Sequence, residues 1–231
     1  MANNSGKKAR RAASESPREQ FLTRSEFKEV KPLNYIQETY LNAIKTSDIT
    51  FGIGSAGTGK TYVAASYAAS ELFHRKVERI ILTRPNVETG RGLGFLPGTL
   101  EEKYEPYLEP FHDVFTRSLG KGFYEYAIKS KTIEPRPLGF MRGATFDNCI
   151  VLADEMQNAT KTELKMMLSR IGRNCKMIIS GDTDQCDIDD SGLQDAVNRL
   201  EHIDGIEVVR FLDSDIVRSR MCKQIILAYR N

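Results

Sequence analysis

Five short apolar runs punctuate the chain, at Ile49–Gly54, Arg79–Thr83, Cys149–Ala153, 176–180 and 207–212. Each is strand-length and near-continuous in Ile, Val, Leu or Phe, as expected of strands covered on both faces. Between them, apolar positions recur at three- and four-residue spacing. Tyr35, Ile36, Tyr40, Leu41 and Ile44 form one such stripe, and the Ala-rich stretch Lys60–Phe73 reads as a helix. Leu100, Tyr104, Tyr107, Leu108, Phe111 and Phe115 predict an amphipathic helix over 100–115. Further helices are predicted over 160–171, 191–202 and 216–229. Alternation of short apolar strands with helices specifies an α/β fold, a mostly parallel central sheet with helices on both faces. The segment 121–142, with Pro135 and Pro137, shows neither period clearly and is left open.

Composition narrows the class. The 231 residues carry 33 basic and 31 acidic side chains and are 40% hydrophobic, values of an ordinary globular domain and not of a polycation or a collagen-like chain. Nucleic-acid binding would have to come from local patches. Residues 1–20, with Lys7, Lys8, Arg10 and Arg11 ahead of a Ser/Glu/Pro stretch, read as a disordered polar and basic tail, leaving 21–231 for a single domain. No apolar run approaches a membrane span or a secretory signal, so no membrane partner is expected. Cys149, Cys175, Cys186 and Cys222 show no zinc or redox spacing, which points to buried thiols in a reducing compartment, the cytoplasm. The connection 84–98, RPNVETGRGLGFLPG, is long for a structureless loop and suggests a functional role.

The strongest chemical signal is Gly54-Ser55-Ala56-Gly57-Thr58-Gly59-Lys60-Thr61, a full P-loop pattern between a predicted strand and a predicted helix. The glycines let successive backbone N–H groups turn toward phosphate oxygens, and the helix N-terminus adds partial positive charge. Lys60 should reach the β- and γ-phosphates, and the Thr61 hydroxyl should ligate Mg²⁺. After the third apolar run come Asp154, suited to hold Mg²⁺, and Glu155, suited to polarise an attacking water. At the end of the fourth stands Ser180-Gly181-Asp182-Thr183-Asp184-Gln185, where Gln185, supported by Asp182, is expected to sense the γ-phosphate. A calcium loop among these acids fails on spacing, because Cys186 falls on a ligand position and Asp187 where the loop needs glycine. An acid-rich surface turn is the plainer alternative.

GSAGTGKT, the 84–98 stretch, LADEMQN (152–158), GDTDQ and DIVRS (215–219) together resemble the PhoH-like family of bacteria and their phages, over about residues 32–231. The resemblance implies a RecA-like P-loop ATPase core related to superfamily 1 helicases. It also implies ATP and Mg²⁺ as cofactors, a homo-oligomer in the form of a hexameric ring, and, for some members, work on RNA. Gln37 matches a family glutamine ahead of the P-loop, where an amide can read the adenine edge. Met156 stands where the family often has alanine, and the length leaves no room for the nuclease domain fused in some relatives.

One RecA-like domain leaves one face of a bound nucleotide open, which a neighbouring subunit can close with an arginine finger. Arg218 is the leading candidate and Arg220 the second; a surface arginine in an ion pair is the alternative. In 121–142, basic residues interleave with Phe123, Tyr124, Tyr126 and Phe140, either as a stacking surface for single-stranded nucleic acid or as an aromatic core face with a solvated basic face. Arg84 and Arg91 are candidates to extend that surface. The favoured function is an ATPase acting on single-stranded nucleic acid, RNA first. A small-molecule kinase and an ATP-loaded assembly switch remain as alternatives.

Overall fold

The computed structural model describes residues 27, 29–85, 108–183 and 185–230. The expected tail, the connection from residue 86 onward with Arg91, and the first part of the predicted 100–115 helix lie outside the described residues. Asp184 does too.

Six parallel strands form one sheet in the order β3-β2-β4-β5-β1-β6. In chain order, helix α1 (Tyr35–Thr46) leads into β1 (Ile49–Gly54), then α2 (Lys60–Phe73) and β2 (Arg79–Thr83). Helices α3 (Glu109–Leu119) and α4 (Lys121–Lys129) precede β3 (Ile133–Pro135). Then follow β4 (Cys149–Ala153), α5 (Lys161–Leu168), β5 (Cys175–Gly181), α6 (Leu193–Leu200), β6 (Ile206–Phe211) and α7 (Arg220–Arg230). The four inner strands are buried nearly throughout, whereas β6 is buried only at Val209 and Phe211 and leaves Glu207 and Arg210 in solvent, as suits an edge. The period-two alternation divides the core. Ile80, Leu82, Ile150 and Leu152 face α1 to α4 with Tyr40, Leu72 and Phe115. Ile81, Val151, Met177 and Ile179 face α5 and α6 with Met167 and Val197.

This is the RecA-like arrangement, with the P-loop strand β1 separated from the carboxylate strand β4 by β5. The carboxylate therefore arrives from the strand after next, and not from a direct neighbour. Segment 121–142 resolves into α4, the three-residue strand β3 and a 3₁₀ turn at Leu138–Met141. β3 is too short to show a period, and its Pro135 is tolerated at the sheet edge. Predicted helices are trimmed where capping takes over: Thr160 is the N-cap of α5, in a capping box with Glu163. The closing helix starts at Arg220, not at 216, because the Val217 N–H is spent on the Gly57 carbonyl and the Ser219 hydroxyl receives the Cys222 N–H. Parallel pairing also sets Cys149 opposite Cys175, with sulfurs 3.8 Å apart, a contact that sequence spacing could not reveal; all four cysteines are free thiols.

Candidate functional site

The C-terminal ends of five neighbouring strands converge, delivering Gly54, Arg84, Asp154, Asp182 and Asp213 to one edge of the sheet. That is where open α/β sheets place their ligands. β1 ends at Gly54 with φ +134°, and a Cβ there would lie 2.0 Å from the Phe211 carbonyl oxygen of β6, so the chain can leave the sheet here only as glycine. Gly59, at φ +88°, opens α2 without a side-chain cap, leaving the first amides of the helix facing the loop.

Within the loop, Lys60 is buried and folds back, its Nζ donating to the carbonyls of Gly54 and Ser55 (2.8 Å to the latter) and to Thr58 Oγ1 at 3.3 Å. Burial lowers its pKa, against the opposing pull of Asp182, Asp154 and Glu155. The Ala56 N–H donates to Asp182 Oδ2 at 3.2 Å, so a side-chain carboxylate occupies an amide of the cradle. The Ser55 hydroxyl donates to Asp213 Oδ1.

Asp154 sits at the centre. Its carboxylate accepts from Thr61 Oγ1 at 3.1 Å and from Ser180 Oγ at 2.8 Å. Burial raises its pKa, offset in part by the Arg84 guanidinium, whose Nη2 lies 3.8 Å away. Glu155, by contrast, is half exposed in a left-handed conformation (φ +55°). Arg84 Nη2 stands 3.0 Å from its Oε1, and Gln157 Nε2 donates to its Oε2 at 2.7 Å.

The structure thus brings together Gly54 through Thr61, Asp154 and Glu155. Three other expected residues stand differently. Gln37 is fully buried, and its amide is engaged at both ends by backbone, accepting from the Leu33 N–H at 2.9 Å and donating to the Thr58 carbonyl at 2.9 Å. In this arrangement it braces the P-loop from behind. Gln185 is exposed, with its own N–H on the Asp182 carbonyl; Asp182, cast as its support, is the residue that touches the P-loop. Arg218 is exposed beside the P-loop of its own chain, since a Cβ at Gly57 would meet its Cβ at 3.3 Å. Arg220 is exposed at the start of α7.

Sequence reasoning missed Gln157 and Ser180, although both lie inside the motifs it quoted; their amide and hydroxyl next to strand-end acids were the available signal. It also placed Arg84 on a nucleic-acid surface, whereas the guanidinium is largely buried against the two acids. Of the two alternatives for 121–142, the aromatic core face with a solvated basic face describes most of it: Phe123 and Tyr124 are core residues, Arg136 pairs with Glu134, and Lys121, Lys129 and Lys131 are solvated, while Phe140 stays exposed. Among the described residues, no three His, Cys, Asp or Glu side chains gather to hold a metal.

The donor set fits a magnesium nucleotide: a hydroxyl and a carboxylate suit a hard cation that keeps most of its waters, and the ring of amides with Lys60 suits phosphate. No helix among the described residues is long and apolar enough to cross a membrane.

A family model described as PhoH-like protein matches residues 29–230. The protein named PhoH of Escherichia coli (strain K12) is 43% identical over 201 residues, covering 85% of this chain and 57% of that protein. A PhoH-like protein of Bacillus subtilis (strain 168) is 45% identical over 196 residues, covering 84% of this chain and 61% of that one. This chain therefore spans roughly three-fifths of the length of these relatives. Among solved structures, the Pif1 helicase from Candida albicans aligns over 79% of this chain and 41% of its own, at 16% identity and a TM-score of 0.40.

Proposed function

The chain belongs to the PhoH-like family, and on that premise we propose that it is a Mg²⁺-dependent ATP hydrolase. In this reading it works in the cytoplasm as an oligomeric ring and couples hydrolysis to binding or remodelling of single-stranded nucleic acid, RNA first. The observation that carries the hydrolase reading is the Thr61–Asp154–Ser180 cluster under the P-loop with Glu155 at its side.

The residues divide the work. The loop amides and the α2 N-terminus hold the phosphates. Lys60 turns from the Gly54 and Ser55 carbonyls toward the β- and γ-phosphates, exchanging neutral acceptors for anionic ones. Thr61 and Asp154 hold Mg²⁺, which when bound neutralises charge on the phosphates. Glu155 keeps a carboxylate open to water and accepts the proton of the attacking water. A carboxylate that stays half exposed beside the P-loop supports hydrolysis over transfer to an acceptor.

An assembly is supported by the surface around Arg218. Helix α7, next to it, exposes Met221 and Ile225 one turn apart, an apolar stripe that a neighbouring copy can cover. The neighbour would then bring its own charged groups to the open side of the nucleotide.

The test is phosphate release from ATP and Mg²⁺ without any acceptor, with and without single-stranded RNA, beside size measurement with and without nucleotide. Release that RNA accelerates, together with nucleotide-dependent assembly, supports the full reading. Release only when a small-molecule acceptor is added indicates a kinase. Assembly without release indicates a switch.

A further inference from the structure

The Glu155 carboxylate is held from outside the P-loop. A non-glycine residue at φ +55° persists only where its surroundings over-determine it. Two neighbours do so: Arg84 on Oε1, and Gln157 on Oε2. Gln157 lies two residues further on, in the 3₁₀ turn Met156–Asn158, and is 2% exposed. The other end of its amide is also engaged, with Oε1 accepting the backbone N–H of Asp182 at 3.0 Å. The fit is close on the β5 side. A Cβ on Gly181 would lie 2.8 Å from Gln157 Oε1 and 3.0 Å from Gln157 N, so β5 ends in a residue without a side chain where this amide passes.

One buried amide therefore links the candidate base to the end of β5. The chain of bonds continues to the cradle, because the Asp182 carboxylate takes the Ala56 N–H. We propose that Gln157 is a positioning residue that fixes the Glu155 carboxylate and ties its placement to occupancy of the P-loop through Asp182. A phosphate competes with the Asp182 carboxylate for the Ala56 N–H and repels it. The Asp182 backbone N–H shifts with its side chain, and the Gln157 amide, bonded to that N–H, carries the shift to Glu155. This inference rests on the hydrolase reading, with Glu155 as the base.

The test compares the wild type with Gln157→Met, which keeps the length but has no amide, and Gln157→Glu, which keeps the acceptor and replaces the donor. ATP affinity is read by calorimetry and turnover by phosphate release. For Gln157→Met, Kd and KM should stay within about threefold while kcat falls on the order of 10- to 100-fold, the signature of a displaced base. In Gln157→Glu a protonated carboxyl can still donate to Glu155, whereas an ionised one repels it. The ratio of its kcat to that of the wild type should therefore rise as pH falls, and the Gln157→Met ratio should stay flat.

A Gln157→Met protein with wild-type kcat overturns the proposal, and so does a pH-independent ratio for Gln157→Glu. Should Gln157→Met not fold, the pH ratio decides alone. Wild-type protein that binds ATP and releases no phosphate removes the hydrolase reading and this inference with it. Wild-type turnover beside an unimpaired Gln157→Met removes only the inference.

Discussion

Replacing Gln37 by leucine keeps much of the side chain's volume and removes its amide. In the structure that amide joins the Leu33 N–H to the Thr58 carbonyl, so the change should loosen the P-loop from behind and leave the base site alone. The Thr58 carbonyl bond is buried, so losing its partner should cost about 1–3 kcal/mol, and the part-buried Leu33 N–H roughly another 0.5–1.5 kcal/mol. The sum, about 1.5–4.5 kcal/mol, corresponds to a fall in Tm of roughly 3–18 °C for a domain of this size. ATP and GTP affinities should drop together, because a disordered cradle is indifferent to the base. An amide that reads adenine behaves differently, since its loss removes about 1–3 kcal/mol of discrimination, or roughly 5- to 150-fold in the ATP-to-GTP ratio. Thermal melts and paired calorimetric titrations with both nucleotides separate the two. A selective loss of ATP at unchanged Tm would refute the brace.

Glu155→Gln should bind ATP as the wild type does and lose roughly 10²–10⁴-fold in phosphate release, since the amide cannot take the water's proton; single-turnover assays check this. Arg218→Ala should keep ATP affinity within about tenfold while losing on the order of 10³-fold in turnover, and equal turnover in a kinetic comparison removes its role. Asp154→Asn should abolish Mg²⁺-dependent hydrolysis yet stabilise the nucleotide-free protein. Burial raises the Asp154 pKa above the ordinary 3.8, so its contribution to stability is full below that value and lost as pH rises through the folded value. The Tm advantage of Asp154→Asn, followed in melts without nucleotide, should therefore grow from acid toward neutral pH, and a constant or shrinking difference contradicts the burial argument.

The inner strands were legible because burial on both faces leaves an unbroken apolar run, as in CIVLA and RIILT, and the P-loop because its glycines answer to backbone geometry. β3 was not, since three residues ending in proline carry no period. Within the site, the sequence order of chemical groups was readable and their mutual contacts were not. Gln37 and Thr58 are 21 positions apart, and Asp182 and Ala56 are 126 apart; only the parallel crossovers bring them together. Asp182 and Gln185 sit on one short turn, and which of them reaches the loop depends on where β5 stops. Arg84 looked like a solvated cation because its partners, Asp154 and Glu155, come about 70 positions later, just past the end of β4.

The proposed function requires that the edge formed by Gly54 through Thr61 with Asp154 hold a magnesium nucleotide. Calorimetric titration of the folded wild type with ATP and Mg²⁺, beside Lys60→Ala, tests it most directly. Saturable heat for the wild type that is lost without Mg²⁺ and sharply weakened in Lys60→Ala is the result expected. Absence of binding by folded wild-type protein, or equal binding by Lys60→Ala, contradicts it.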